Sequence, residues 1–384
     1  MNPDDEVMPA EAGEGTDLRT AIVGWATNAR YKWSHSGAVQ LTAELPVFVL
    51  GRPIYPSAPS LLQAVVLEEA RKVPWCSYRK AFEPLERQES TGETRSFSSD
   101  VGWGCTLRVG QMVLLTAISR HLQLAADSVD LLAMAGLVSS PFSLHQLVNS
   151  AKRHLNKQAG DWFSPSSAAH TVYHLVSSLA LVPDFCVSVA MDGGIYKDRV
   201  LADMTGLEAD RLKCTCERQD SVCALCSSYV WRGSVLLFVP LMLGRDRVAK
   251  DYFATVQFLL GLPQSLGIIG GKKRSAVYFI GFQGDSLLYI DPHYVQKASK
   301  SRFHLQKHIF TYKIPNLAHL PLSEIDSSLT FAFYFDSAGA FEDFWREIEA
   351  NQSTLKGVIF VKKSYLDLWK AREVDFVSDF IEIL

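Results

Sequence analysis

The apolar positions change their period about half-way along the chain. Over residues 60–73, Leu61, Leu62, Val65 and Val66 fall at helical spacing behind Ser60 as a candidate N-cap, and Pro74 closes the segment. After Cys105 the helical pattern returns in Leu107, Gln111, Leu114, Leu115 and Ile118, and further helices are predicted around 127–138, 143–157 and 166–180. Beyond residue 230 the signal becomes β-rich. Residues 235–239 form a short apolar run, and residues 277–282 and 287–290 are two more, joined by Gln283-Gly284-Asp285-Ser286 as a hairpin. Residues 329–335 predict a further strand, followed by a helix carrying Phe341, Phe344, Trp345 and Ile348. Residues 45–50 end in Gly-Arg-Pro and suit a strand and turn, while the serine-rich stretch 86–100 reads as a loop. Helix-rich and then strand-rich halves predict an α+β fold rather than alternating βαβ units.

Composition narrows the class. Of 384 residues, 48% are apolar and 21% charged, which suits a globular chain with a sizeable core. Thirty-eight basic against 41 acidic side chains give a net charge of −3, which excludes an overall basic nucleic-acid binder. The apolar runs fall short of the roughly 18–20 residues a spanning helix needs. Asp4, Asp5, Glu6, Glu11, Glu14 and Asp17 precede the first basic residue, Arg19, unlike a secretory signal or a transit peptide. Residues 1 to about 20 therefore read as a disordered acidic tail. Seven cysteines, an odd number without a signal, point to reduced thiols and a cytoplasmic location. Neither a phosphate loop nor a dinucleotide fingerprint is present, and no cofactor is expected.

One cysteine stands apart. In Val101-Gly102-Trp103-Gly104-Cys105 two glycines flank a tryptophan immediately before a predicted helix. A thiol at that junction feels the positive end of the helix, and flanking backbone amides can approach a developing oxyanion. A buried packing cysteine is the alternative. Among ten histidines, His293 follows a predicted strand in Tyr289-Ile290-Asp291-Pro292-His293. Proline stiffens the spacing, so Asp291 is placed to orient an imidazole, although Asp-Pro is also a common turn starter.

Those residues resemble the autophagins, autophagy-related cysteine proteases of papain-like fold. Ser99-Asp100-Val101-Gly102-Trp103-Gly104-Cys105-Thr106-Leu107-Arg108 is similar to their nucleophile motif, and Tyr78-Arg79-Lys80-Ala81-Phe82 to a segment upstream of it. Gly160-Asp161-Trp162-Phe163-Ser164-Pro165-Ser166 resembles their tryptophan segment. Residues 263–272 with 278–281, and the Asp-Pro-His motif, complete five ordered matches. The resemblance implies a helical lobe and an antiparallel β-lobe with the active-site cleft between them. It makes Cys105 the nucleophile, His293 the general base and then acid, Asp291 its orienting partner, and Tyr78 an oxyanion donor with the Cys105 amide. It makes Trp162 the roof of the cleft, and Gly271 and Lys272 part of a loop that covers it. That loop continues Lys273-Arg274 where the family pattern has proline and asparagine, so it is more basic here.

The implied substrate is a ubiquitin-like autophagy modifier, as a free precursor and as its phosphatidylethanolamine conjugate. The implied enzyme is a cytoplasmic monomer that binds no nucleic acid and meets membranes only through lipidated substrate. Rival readings are a catalytically idle modifier-binding scaffold and a deconjugase for another ubiquitin-like protein. Phe380 and Ile383 near the C-terminus, preceded by acid, have the spacing of a modifier-binding motif that adds a strand to its partner, with an apolar docking tail as the alternative. Cys214, Cys216, Cys223 and Cys226 have spacing open to zinc, to redox chemistry or to plain thiols, and no metal site is assigned to them. The expected organisation is a tail at 1–44, a protease domain at 45–370 with a Cys-rich insertion near 211–228, and a C-terminal tail at 371–384.

Overall fold

Alternation along three long strands explains the architecture. In β7 (Ser234–Arg247), Leu236 and Phe238 enter one apolar cluster while Val235, Leu237 and Val239 enter another. In β9 (Ser275–Gln283), Tyr278 and Ile280 face the first cluster and Val277 and Phe279 the second. In β13 (Asp326–Phe335), Ala332 and Tyr334 oppose Phe331, Phe333 and Phe335 in the same way. Such period-2 segregation with no polar face means that both sides of the sheet are buried. The computed structural model describes residues 18–35, 40–55, 58–190, 192–206 and 231–362.

These strands belong to a nine-stranded sheet. Its spine runs β12 (Ala318–Pro321), β10 (Ser286–Ile290), β9, β8 (Ser265–Lys272), β13, β7 and β5 (Phe185–Val189). The pair β1 (Val47–Val49) and β2 (Arg52–Ile54) attaches through β9. Pairing is antiparallel except for β5 against β7. A small sheet joins β3 (Arg79–Gln88), β4 (Thr94–Ser99) and β11 (Gln296–Lys297), and β6 (Gly194–Tyr196) pairs with β14 (Phe360–Lys362). The α+β class holds, with helices on both faces of the large sheet. Helix α3 (Cys105–Leu122) lies against β8 and β9, backed by α5 (Leu144–Leu155) and α6 (Pro165–Leu179). Helices Phe253–Gly261 and Ala338–Ala350 cover the other face through Val256, Leu259, Phe341, Phe344 and Ile348.

Three segments differ from the sequence reading. Residues 86–100 are not a loop. They form most of the β3–β4 hairpin, with Leu85 opposite Phe97 and Gln88 opposite Thr94. The hairpin was hidden because its strands are largely exposed and show no clean apolar alternation. The helix expected at 127–138 shrinks to α4 (Val129–Leu132). Before residue 45 there is a helix, α1 (Leu18–Ser34), whose contact with the body is a narrow polar and aromatic seam. Asn28 accepts the Val295 N–H at 2.6 Å and donates to the Val295 carbonyl at 3.0 Å, and Tyr31 packs against Trp75 and Tyr294.

The loop before α3 is built around Asp100, which is fully buried. Its carboxylate accepts the Arg79 N–H at 2.7 Å and the Arg108 guanidinium at 2.6 Å, while its carbonyl accepts the Gly104 N–H at 2.9 Å. A Cβ at residue 104 would lie 2.6 Å from the Asp100 Cβ, so only glycine allows this approach. Asp100→Ala strands the Arg108 charge in the interior. It should lower unfolding stability by about 3–5 kcal/mol, as read by denaturant melts. A loss under 1 kcal/mol would mean that the pair does not organise this loop.

Candidate active site

The Asp-Pro-His segment follows β10 directly, and a neighbouring strand fixes its path. Tyr78 N–H donates to the Pro292 carbonyl at 2.9 Å, and Gln296 N–H donates to the Tyr78 carbonyl at 3.0 Å. Gln296 then pairs in parallel register with Arg79. On its other edge the same strand pairs Lys80 with Ser99. Residues 78–80, where β3 begins, therefore run between the cysteine loop and the histidine loop. The Tyr78 and His293 rings meet edge to face, centroids 5.3 Å apart.

His293 Nδ1 donates to Asp291 Oδ1 at 2.5 Å, and the same oxygen accepts the His293 backbone N–H at 2.8 Å. Trp75 Nε1 donates to the Asp291 carbonyl at 2.8 Å, which fixes the turn from behind. Cys105 is the first residue of α3, behind Gly104 at the N-cap. Its sulfur lies 3.9 Å from Thr106 Oγ1, and His293, the Tyr78 hydroxyl and the Ala276 N–H all lie close enough to act on it. Burial alone would push the Cys105 thiol up, but the hydrogen bond and charge of His293, with the Ala276 and Tyr78 donors, carry it below its ordinary value. Burial likewise disfavours a charged His293, yet Asp291 and Cys105 together hold it up at about 10. Asp291 stays below the usual carboxylate range against its own burial, through its bonds to His293. Both shifts favour a thiolate beside an imidazolium. The other two described cysteines differ: burial pushes Cys76 up to about 11 and raises Cys186 as well.

The hairpin between β8 and β9 closes this pair off. Ala276 caps the sulfur, Ser275 Oγ stands 3.5 Å from His293 Nε2, and Cys105 is only 1% exposed. Gly271, one residue before the end of β8, has φ +157°, and a Cβ there would lie 2.0 Å from the Ser275 carbonyl oxygen. Lys272 points outward and pairs with Glu324 at 2.6 Å. Trp162 lies on the loop between α5 and α6, 44% exposed, with its carbonyl held by Lys157 Nζ at 2.8 Å. Its loop abuts the cysteine loop indirectly: Gly160 lies against Phe97, whose ring meets Trp103 edge to face. Thus Cys105, Tyr78, Asp291 and His293 are brought together, with Gly271 and Lys272 in the hairpin above. Phe380, Ile383 and the four clustered cysteines lie outside the described residues.

Sequence reasoning gave no role to Trp75, Ser275 or Asp100. None has a local motif of its own, because each acts on a residue brought close by the fold.

The model of the peptidase C54 catalytic domain matches residues 63–347. The chain belongs to the peptidase C54 family. It is 30% identical over 381 residues to the probable cysteine protease ATG4 of Meyerozyma guilliermondii, covering 90% of this chain and 83% of that protein. It is 32% identical over 338 residues to cysteine protease ATG4B of Xenopus laevis, covering 80% of each, and 27% identical over 404 residues to ATG4D of the same frog, covering 90% and 79%. This C54 chain is thus a cysteine protease, and among its described residues no helix is long and apolar enough to cross a membrane.

The paired charges predict a pH profile. Cys105 should be alkylated by iodoacetamide with a thiolate limb that begins below the ordinary thiol range, and the paired His293 proton should be lost as pH rises through about 10. His293→Ala should move the thiolate limb up by at least about one pH unit. Peptide mass spectrometry resolves Cys105 from Cys76. Coincident profiles for the two would refute the pairing.

Proposed function

We propose that this C54 peptidase cleaves a ubiquitin-like autophagy modifier after its C-terminal glycine and releases the same modifier from phosphatidylethanolamine. The observation that carries the reading is the Cys105–His293–Asp291 chain lying under the β8–β9 hairpin. The Cys105 thiolate attacks the glycine carbonyl carbon. The developing oxyanion takes hydrogen bonds from the Tyr78 hydroxyl and the Cys105 N–H, which lacks an intrahelical partner at the first position of α3. The C–N bond then breaks, and the leaving amine takes the proton from His293, which leaves a thioester on Cys105. Neutral His293 next removes a proton from water, whose oxygen attacks the thioester. The products are a free glycine carboxylate and the regenerated sulfur. Asp291 holds the imidazole in register throughout. A peptide bond and a headgroup amide differ only in the departing amine, so one site serves both.

The buried thiol supplies selectivity. In this reading the 271–275 hairpin over the buried thiol, with the half-exposed Trp162, restricts entry to a residue without a side chain. Phe380 and Ile383 in the C-terminal tail supply a second grip on the modifier. The hydrolysis is redox-neutral and draws on no cofactor. The enzyme acts as a cytoplasmic monomer that reaches membranes through its lipidated substrate.

The test uses the modifier carrying a C-terminal extension, and the conjugate in liposomes, under reducing conditions. Wild type should remove the extension and release the conjugate, and Cys105→Ala should do neither. Tyr78→Phe should lower kcat by about 10²–10³ with a smaller change in KM. A wild-type protein that binds the modifier yet leaves both substrates intact is a scaffold, and the enzyme reading of this substrate fails.

A further inference from the structure

The carboxylate of Asp291 uses its two oxygens differently. Oδ1 accepts both N–H groups of His293, whereas Oδ2 faces His35, which comes from the end of α1 at the opposite end of the sequence. His35 is 6% exposed, and its Nε2 lies 3.6 Å from Oδ2 without a hydrogen-bond partner at normal distance. An unpartnered buried nitrogen aimed at a buried carboxylate is a costly arrangement unless the two interact.

The rest of the ring is held. It stacks on Tyr31 with centroids 4.1 Å apart, and Tyr289 meets its edge at 6.1 Å. Nδ1 lies 2.9 Å from Ser34 Oγ and 3.0 Å from the Tyr31 carbonyl oxygen. When the Ser34 hydroxyl donates to Nδ1, the single ring proton sits on Nε2. When Nδ1 donates to the carbonyl, a lone pair on Nε2 would face the carboxylate unless the ring carries a second proton. Every arrangement compatible with an ionised Asp291 therefore places an N–H on Nε2. The Tyr31 and Tyr289 phenols near the same carboxylate are pushed up by burial first and by Asp291 next, so they stay neutral. The helix itself is anchored two residues beyond His293 by the paired Asn28–Val295 bonds.

We infer that His35 is a positioning residue for the Cys105–His293–Asp291 centre, its Nε2–H facing from 3.6 Å the Asp291 oxygen that His293 does not use, so that α1 is part of the active site. The inference rests on the proposed triad. Its physical content is rotational: a buried N–H facing Oδ2 attracts that oxygen and opposes turning of the carboxylate away from the imidazole.

Two variants of the full chain separate donation from packing. His35→Phe keeps the ring on Tyr31 and removes the donor, whereas His35→Gln keeps an N–H near the Nε2 position. For cleavage of the extended modifier, His35→Phe should lower kcat about tenfold, the size of one hydrogen bond to a charged group, with KM unchanged. His35→Gln should recover most of that loss, and thermal melts should show both variants folded. Wild-type kcat in the Phe variant, equal losses in Phe and Gln, or a loss confined to KM would each overturn the inference. Failure of the triad reading shows separately, as a wild-type protein whose cleavage survives Cys105→Ala or whose Cys105 is not alkylated ahead of Cys76. That result removes the inference with it.

Discussion

Three consecutive residues, 78–80, hold the cysteine loop and the histidine loop together. One edge of this strand bonds to the cysteine loop through Lys80 and the Asp100 carboxylate, and the other bonds to the histidine loop through Pro292 and Gln296. The Tyr78 ring meets the His293 ring edge to face, and its hydroxyl lies near the Cys105 thiol. Backbone hydrogen bonds set the spacing of groups whose chemistry tolerates errors of only about half an ångström. Asp100 extends that control to α3 by gripping Arg108, so the helix cannot rotate without breaking a buried ion pair.

Burial works in two directions here. It removes water from the thiol, the imidazole and the carboxylate, which by itself would neutralise all three. Because the groups lie close to each other, their mutual attraction in the low-dielectric interior outweighs that tendency and shifts each toward its charged form. The same burial places the β8–β9 hairpin on the sulfur. Reactivity and concealment thus share a cause.

Much of this was legible in the sequence, for identifiable reasons. Cys105 announced itself through glycines at a helix start, and His293 through a rigid Asp-Pro step after a strand, because local backbone chemistry dictates both. The long strands were readable from dense β-branched and aromatic runs. The β3–β4 hairpin was not, since exposed strands carry polar residues on both faces and lose the period-2 signal. Helix α1 was missed because its seam is narrow and its anchors, Asn28, Tyr31 and His35, make polar and aromatic contacts that leave no apolar stripe. The part played by Tyr78 rested on family resemblance, since a lone tyrosine before a strand has no chemical signature. Its partner lies far along the chain.

The parallel pairing of β3 with β11 has a consequence for how the molecule comes into being. Parallel contacts between distant segments close long loops and form late compared with local helices and hairpins. Until they close, Cys105 has no imidazolium beside it, and its thiol keeps an ordinary, sluggish nucleophilicity. A nascent or misfolded copy is therefore chemically quiet. The chain gains its reactive sulfur only with the closing of this long-range pairing.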